Sequence, residues 1–368
     1  MSIKSISIRV ELTGHGVVQT SGDEKGLTWA RDDVGTQRYS NVVYAKGNFV
    51  QTGVDEGGRP RLRKILKISG DGLRHAIHVR AMPAATPNTL LARSARLSFV
   101  ATRDALLRGW LSTSTDDRKK SAYAITAAED KDAVLQIELQ SNSAPKDRTE
   151  GVTDTSLFAR ETTGATNYVA EGFVNIEELR FISVSDVYGR RAIQDDEVDI
   201  FRDLLSQHLG SDVDEARYWR RLDGSSTVPE FGILLTNEQV QDLVQHLLRG
   251  IAEIQIVKSA TGYAKTSRIQ IKPIQFPLVD STKPFLTYFE NGAVNNELIP
   301  TAYASAWSVV DRATGIAEVA AIDAEVKKAQ GKQKEKKELE RQAKKTGKAA
   351  KAGKTAGVPV SDSDDAGE

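Results

Sequence analysis

The stretch GILLTNEQVQDLVQHLLRGIAEIQIV, residues 232–257, reads as strand, helix and strand in immediate succession. Gly232 to Leu235 is an apolar run of strand length. Thr236 and Gln239 stand at capping-box spacing, where side chain and backbone satisfy each other's unpaired groups in the first helical turn. Val240, Leu243, Val244, Leu247, Leu248 and Ile251 then recur every three or four residues and form one apolar stripe, with Gly250 as the expected stop. Ile254 to Val257 follows as a strand. A helix with one such stripe must bury it against another layer, so this unit predicts half of an α+β sandwich.

The other half is expected at the start of the chain. Ile6, Ile8, Val10 and Leu12 alternate with Ser5, Ser7, Arg9 and Glu11, the pattern of a strand with one buried face, and the run ends in Gly14-His15-Gly16. Residues 69–110 read as mainly helical, with Thr86 and Pro87 as cap and first-turn proline before Leu90, Leu91, Leu97, Val100 and Leu107, and Gly109 as the end. Val198, Phe201, Leu204, Leu205 and Leu209 give a further helix stopped by Gly210. The expected class is therefore α+β, with a split βαβ, ferredoxin-like (RRM-like) core.

Around that core the signals are less regular. Gly and Asp clusters break residues 21–63 into short pieces such as Tyr39 to Tyr44 and Asn48 to Gln51, which predicts an insertion. Leu135, Ile137 and Leu139 alternate as a strand before a polar loop from Ser141 to Thr155. Between Leu157 and Val184 the strand signals at Phe173, Val174, Ile176, Phe181 and Ile182 predict a protruding hairpin. Beyond Ile316 the Ala, Glu, Lys and Gln content favours a solvated helix, with residues 327–368 expected to be disordered.

Composition removes several function classes. The chain has 368 residues, is 39% hydrophobic and 27% charged, and holds no apolar run long enough to span a bilayer. Met1 to Val10 has neither a cationic start nor an apolar h-region, so a cytoplasmic protein is expected. With no cysteine there is no disulfide, thiolate metal site or cysteine nucleophile, and five histidines are the remaining soft ligands. The 50 basic and 50 acidic residues cancel, but residues 327–354 carry 12 Lys/Arg against 3 Asp/Glu. Residues 1–315 hold 38 bases and 40 acids, so a nucleic-acid surface there must be a local groove.

Motifs for catalysis fail on inspection. Gly14-His15-Gly16 follows a strand, where backbone amides could approach a phosphate, but it lacks the third glycine and following helix of a dinucleotide site, and a plain β-bulge is the structural alternative. Gly353-Lys354-Thr355 lacks the earlier glycine of a P-loop, since position 348 is Lys348. His75 and His78 are one turn apart without a third ligand. No Gly-x-Ser-x-Gly elbow exists, so no catalytic residue, metal or cofactor is assigned. Arg93, Arg96 and Arg103 would share an arc of about 80° on one continuous helix, at 100° per residue, as a phosphate-binding or simply solvated face. Arg220-Arg221, and Lys258, Lys265 and Arg268 around Gly262-Tyr263, are further basic points. Phe173 lacks the rest of an RNA-recognition aromatic signature. The lysine-rich tail would add salt-dependent, sequence-independent affinity or only solubility.

Taken in order, several segments resemble the repeating guide-RNA-binding backbone subunit of class 1 CRISPR effector complexes (Cascade-like), in particular its type I-F variant and type IV groups. They are Gly14-His15-Gly16-Val17-Val18, Leu73-Arg74-His75, Leu107-Arg108-Gly109-Trp110, and Asp154-Thr155-Ser156 through Phe158, Thr163, Gly164, Tyr168, Gly172 and Val174 to Phe181-Ile182-Ser183. Arg220-Arg221, Gly232-Ile233-Leu234-Leu235 and Gly262-Tyr263 complete the set. The resemblance implies a hand-shaped domain over residues 1–315, with a ferredoxin-like palm, a fingers-like insertion at about 21–63, a thumb hairpin at about 148–184, and a tail over 316–368. It implies a palm lined by Gly14, His15, Gly16, Arg74, His75 and Arg108, a thumb carrying Phe158 and Arg160, and guide-backbone support from Arg220, Arg221, Lys258 and Tyr263. The implied partners are guide RNA (crRNA), target DNA paired to it, further copies in a head-to-tail homo-oligomer, and effector subunits that cap the filament. Two other readings stay open: a sequence-indifferent single-strand-binding protein outside CRISPR, and a structural protein that self-assembles without nucleic acid.

Overall fold

Ile6, Ile8, Val10 and Leu12 are buried, none more than 3% exposed, whereas Thr13 and His15 face solvent, so β1 (Ser2–His15) turns one face to the core as its alternation requires. The computed structural model describes residues 2–17, 42–43, 45–81, 93–112, 115–145, 153–185, 191–211, 218–221, 231–257, 262–276, 284–304 and parts of 307–336. After β1 come β2 (Val42–Val43), β3 (Gly47–Val54), β4 (Pro60–Ile68), and helices α1 (Gly70–Ala81), α2 (Arg93–Val100) and α3 (Arg103–Arg108). Short strands β5 (Trp110–Leu111), β6 (Arg118–Lys119), β7 (Tyr123–Ile125) and β8 (Ala128–Asp130) precede the longer β9 (Leu135–Pro145), β10 (Thr153–Thr163) and β11 (Ala165–Asn175). Then follow α4 (Ile176–Arg180), β12 (Phe181–Ser183), α5 (Val198–Leu209), β13 (Tyr218–Arg221), β14 (Gly232–Leu234), α6 (Asn237–Ala252), β15 (Gln255–Val257), β16 (Tyr263–Phe276), β17 (Leu286–Glu290), β18 (Ala293–Val294) and β19 (Trp307–Val310).

The protein is thus mixed α/β, organised on a 10-stranded antiparallel sheet in the order β18-β17-β16-β1-β11-β8-β4-β3, with β15 added on β16 and β7 on β11. The inward residues of β1 join one hydrophobic cluster with Leu73 and Ile77 of α1, Leu106 and Leu107 of α3, Phe201 and Leu205 of α5, and the whole apolar stripe of α6. Helix α6 begins as its sequence predicts: the Gln239 amide donates to Thr236 Oγ1 at 3.3 Å and the Thr236 amide donates to Gln239 Oε1 at 2.9 Å. Helix α5 ends at Gly210, whose φ of 67° only glycine adopts without strain.

Several expectations are corrected. The helical region is split, because Thr102 caps a new helix by accepting from the Ala105 amide, and Thr86, Pro87, Leu90 and Leu91 lie outside the described residues. Gly250 does not stop α6, which continues to Ala252. β14 pairs with β12 in a separate two-stranded sheet, and β16 is the strand beside β1. All three residues of β14 are buried, and such a run carries no alternation that could name its partner.

The protruding hairpin is shifted from about 148–184 to 135–163, where β9 and β10 pair residue by residue from Leu135/Thr163 to Pro145/Thr153. Residues 165–175 instead form β11 along β1, because Thr166, Tyr168, Ala170 and Val174 face the core. Within the expected insertion, residues 18–41 lie outside the described ones, and β3 and β4 form a hairpin that joins the large sheet through β8. In the tail, the described positions from 313 to 336 are helical, past the expected onset of disorder at 327. Asp311 starts that helix by accepting from the Thr314 amide at 2.9 Å, and residues 337–368 lie outside the described ones. Replacing Thr236 by Ala removes the α6 cap and should lower unfolding free energy by about 1 kcal/mol. A urea titration with an unmoved midpoint would show that the cap contributes nothing.

Candidate nucleic-acid interface

Gly14 lies between Thr166 of β11 and Ala264 of β16, and a Cβ built on it would stand 1.9 Å from the Tyr263 carbonyl oxygen. Its missing side chain is therefore required by strand packing. Gly16 has φ 62°, and its amide donates to the Gly164 carbonyl at 2.9 Å. The β-bulge itself falls between Glu11 and Leu12, not at the glycines. His15 is exposed and pairs in register with Tyr263, which is 53% exposed; Lys265 and Thr13 form the next exposed pair. One aromatic and one imidazole thus stand side by side at the end of the open sheet face. Lys258 lies outside the described residues.

A second cluster forms where α1, α3 and β7 meet. Arg74 Nη2 donates to Ser121 Oγ at 3.2 Å and to the Arg108 carbonyl at 3.4 Å, and its guanidinium stands 5.4 Å from the centre of the Tyr123 ring. Arg108 and His75 are exposed. The structure therefore brings Arg74 to Arg108, with His75 the next residue along α1. It does not bring His15 there: Tyr123 pairs with Val174 and Val174 with Ile6, nine residues from His15 along β1, or about 30 Å at ~3.3 Å per residue.

Beneath the second cluster is a buried polar network that the sequence reading missed. His78 Nδ1 is 3.0 Å from Asp104 Oδ1, His246 Nε2 is 3.2 Å from the same oxygen, and His78 Nε2 is 2.5 Å from the Tyr123 hydroxyl. His78 therefore does not share a metal site with His75, and no group of three or more potential metal ligands occurs among the described residues. Burial lowers the His78 pKa below 6.5, although Asp104 opposes the shift. Burial alone would raise Asp104, yet hydrogen bonds from His246 and His78 hold it at about 2. Desolvation pushes the Tyr123 hydroxyl up to about 12. The bonded pairs in this network are 26 to 142 residues apart, and no local pattern links them.

The remaining basic residues divide by their partners. Arg96 Nη2 donates to both Glu197 oxygens at 2.5 Å and Nη1 to Asp117 at 3.4 Å; Arg103 donates to Asp242 at 2.6 Å. With α2 and α3 separated at Thr102, the expected arc of Arg93, Arg96 and Arg103 on one helix does not exist; Arg96 serves buried carboxylates and Arg103 a partly exposed ion pair. On the open sheet face Arg9 pairs with Glu171 at 2.7 Å and Arg268 with Glu290. A depression of 590 Å³ there is lined by Arg9 and Lys131 but also by Glu129, Asp132 and Glu171. Its balance is not cationic. Arg220 and Arg221 face Ser308 and Trp307 across the β13–β19 pair, off the large sheet. Phe158 and Arg160 lie on β10, opposite Gln140 and Glu138 of the β9–β10 hairpin.

The fold is a broad antiparallel sheet backed by helices, with the Arg74 cluster and the His15–Tyr263 pair toward opposite ends of the central strand. The family profile described as "Type I-Fv CRISPR-associated protein Cas7fv-like" matches residues 2–276, and the chain belongs to that family. The match agrees with the resemblance drawn from the segments between Gly14 and Tyr263, and it names the type I-F variant. No curated protein matches. Among solved structures, a chain of a "CRISPR RNA-guided surveillance complex" is 12% identical, with 76% of this chain and 77% of that chain covered and a TM-score of 0.32. A chain of a "CRISPR RNA-guided surveillance complex, pre-nicking" is 9% identical, with 76% and 84% covered and a TM-score of 0.32. Likeness at that level carries no weight for the site.

Two measurements check this geometry. Gly14→Ala should destabilise the fold by about 1–3 kcal/mol, because a methyl group is forced onto β16 backbone; wild-type stability would contradict the close approach. In a histidine NMR titration His78 should protonate below 6.5, and lower still in Asp104→Asn, where burial remains and the carboxylate that opposes it is gone. A midpoint at or above 6.5 would refute the burial.

Proposed function

We propose that this protein is a non-catalytic backbone subunit that binds guide RNA along its palm and presents it for pairing with target DNA. The observation that carries the reading is the family match over residues 2–276, which takes in both clusters of candidate RNA-binding side chains. Support for a ferredoxin-like palm comes from strand order: β16-β1-β11-β7 is antiparallel throughout, with α1 to α3 between β1 and β7 in the chain and α6 between β11 and β16. The variation is that β15 is inserted before β16. The β9–β10 hairpin takes the place of the thumb, β3 and β4, the described part of the expected insertion at about 21–63, that of the fingers, and the helical tail after Asp311 is an accessory.

In this reading Arg74, His75 and Arg108 contact ribose-phosphate at one end of β1, and His15 and Tyr263 stack against the strand at the other. Phe158 and Arg160 act from the thumb. Arg220 and Arg221 support the guide backbone from the β13–β19 pair, and Lys258 supports it as well. Phosphate contacts do not distinguish bases, so recognition passes to Watson–Crick pairing and one protein serves any guide. Copies join head to tail without closing, the guide sets their number, and other effector subunits cap the ends. No described helix is long and apolar enough to cross a membrane, and the complex works in the cytoplasm.

Purification from cells expressing a guide array, followed by sequencing of bound nucleic acid, tests the reading. Uniform short RNAs with repeat-derived ends are expected; random RNA would favour a sequence-indifferent binder, and polymers without RNA a structural protein. Arg74→Glu should weaken RNA retention at fixed salt without lowering stability, and unchanged retention would remove Arg74 from the palm.

A further inference from the structure

We infer that Tyr123, His78 and Asp104 are positioning residues that hold Arg74 in its RNA-binding orientation. The inference rests on the palm reading above. Its physical basis is a chain of contacts that starts in the interior and ends at the proposed phosphate-binding guanidinium. An ionised carboxylate only accepts hydrogen bonds, so Asp104 Oδ1 takes one from His78 Nδ1–H and one from His246 Nε2–H. That fixes the proton of neutral His78 on Nδ1 and leaves Nε2 as an acceptor. The Tyr123 hydroxyl must then donate to His78 Nε2, across 2.5 Å. With the hydroxyl tied inward and the ring 3% exposed, Tyr123 cannot turn, and its face is what the Arg74 guanidinium meets at 5.4 Å. Ser121 Oγ and the Arg108 carbonyl hold Arg74 from the other side.

A purely structural role accounts for this poorly. A buried Asp and His are weak contributors to stability, and apolar residues of equal volume commonly do as well. What the network supplies is orientation: four elements, α1, α3, α6 and β7, each contribute a group, and the chain of bonds ends on a long, flexible cation. Other charged or titratable groups around it are Arg108 and His75, both exposed. An arginine fixed before its ligand arrives loses less freedom on binding.

The test uses a neutral substitution whose effect is read through charge. Binding of the full-length protein to a labelled single-stranded RNA of mixed sequence is measured from low to high salt for wild type, Arg74→Gln, Tyr123→Leu and the double variant. Each phosphate contact contributes about 0.7 to the slope of log affinity against log salt. Arg74→Gln should reduce the slope by about that amount, and Tyr123→Leu should do the same although it removes no charge. In the Arg74→Gln background Tyr123→Leu should change nothing further. Asp104→Asn, less disruptive to the core, provides the same comparison if Tyr123→Leu unfolds. An unchanged slope in Tyr123→Leu and Asp104→Asn, or equal loss in both backgrounds, overturns the inference while leaving the palm reading intact. A wild-type protein that binds no RNA overturns the palm reading, and the inference with it.

Discussion

The two-sided pairing of β1 is the constraint on which the rest depends. From Ser5 to His15 the strand is matched by β11 on one side and by β16 on the other, and between them its inward side chains meet α1 and α6. A slip of one residue would turn Ile6, Ile8, Val10 and Leu12 to solvent and Ser7, Arg9 and Glu11 to the core. Register, helix placement and the position of His15 are thereby fixed together. The same register sets His15 and Arg74 far apart, so an RNA that touches both must cross the domain along the line of the central strand.

Charge is the second organising factor. A chain with equal numbers of acids and bases can bind a polyanion only if the cations are not all answered internally. Many are answered: Arg9, Arg96, Arg103 and Arg268 each meet a carboxylate, and Asp117 receives both Arg96 and Arg191. These pairs hold helices and strands in place and neutralise the middle of the open sheet face. Arg74 differs, because it is held by the Ser121 hydroxyl, the Arg108 carbonyl and the Tyr123 ring, none of which cancels its charge.

Sequence made the local structure legible where a physical signal is short-ranged. The alternation of β1, the box of Thr236 and Gln239, and the glycine after Leu209 each act within a few residues, and each was readable. Partner choice is not of that kind. Period-two patterning says that a strand has a buried face but not which strand lies beside it, so the sequence names no partner for β14, and residues 165–175 read as part of a hairpin rather than as the neighbour of β1. Helix continuity across Ala101 failed because one threonine can end an apolar pattern by capping the next helix. For the candidate site, Arg74 and Arg108 are singled out in the sequence only through the family resemblance, whereas His246 and Asp104, 142 residues apart, can be joined only in three dimensions.

Gly250 shows how a small absence acts at a distance. Inside α6 it is a poor helix former, at roughly 1 kcal/mol relative to Ala. Yet a Cβ there would press on Ile77 Cγ2 at 3.3 Å, on the face where α1 crosses α6. The spacing of the two helices is therefore set by a hydrogen atom, and Arg74 is three residues from Ile77 on the same helix. A single added methyl would meet Ile77, so that side chain, one turn along the helix from Arg74, would have to give way to admit it.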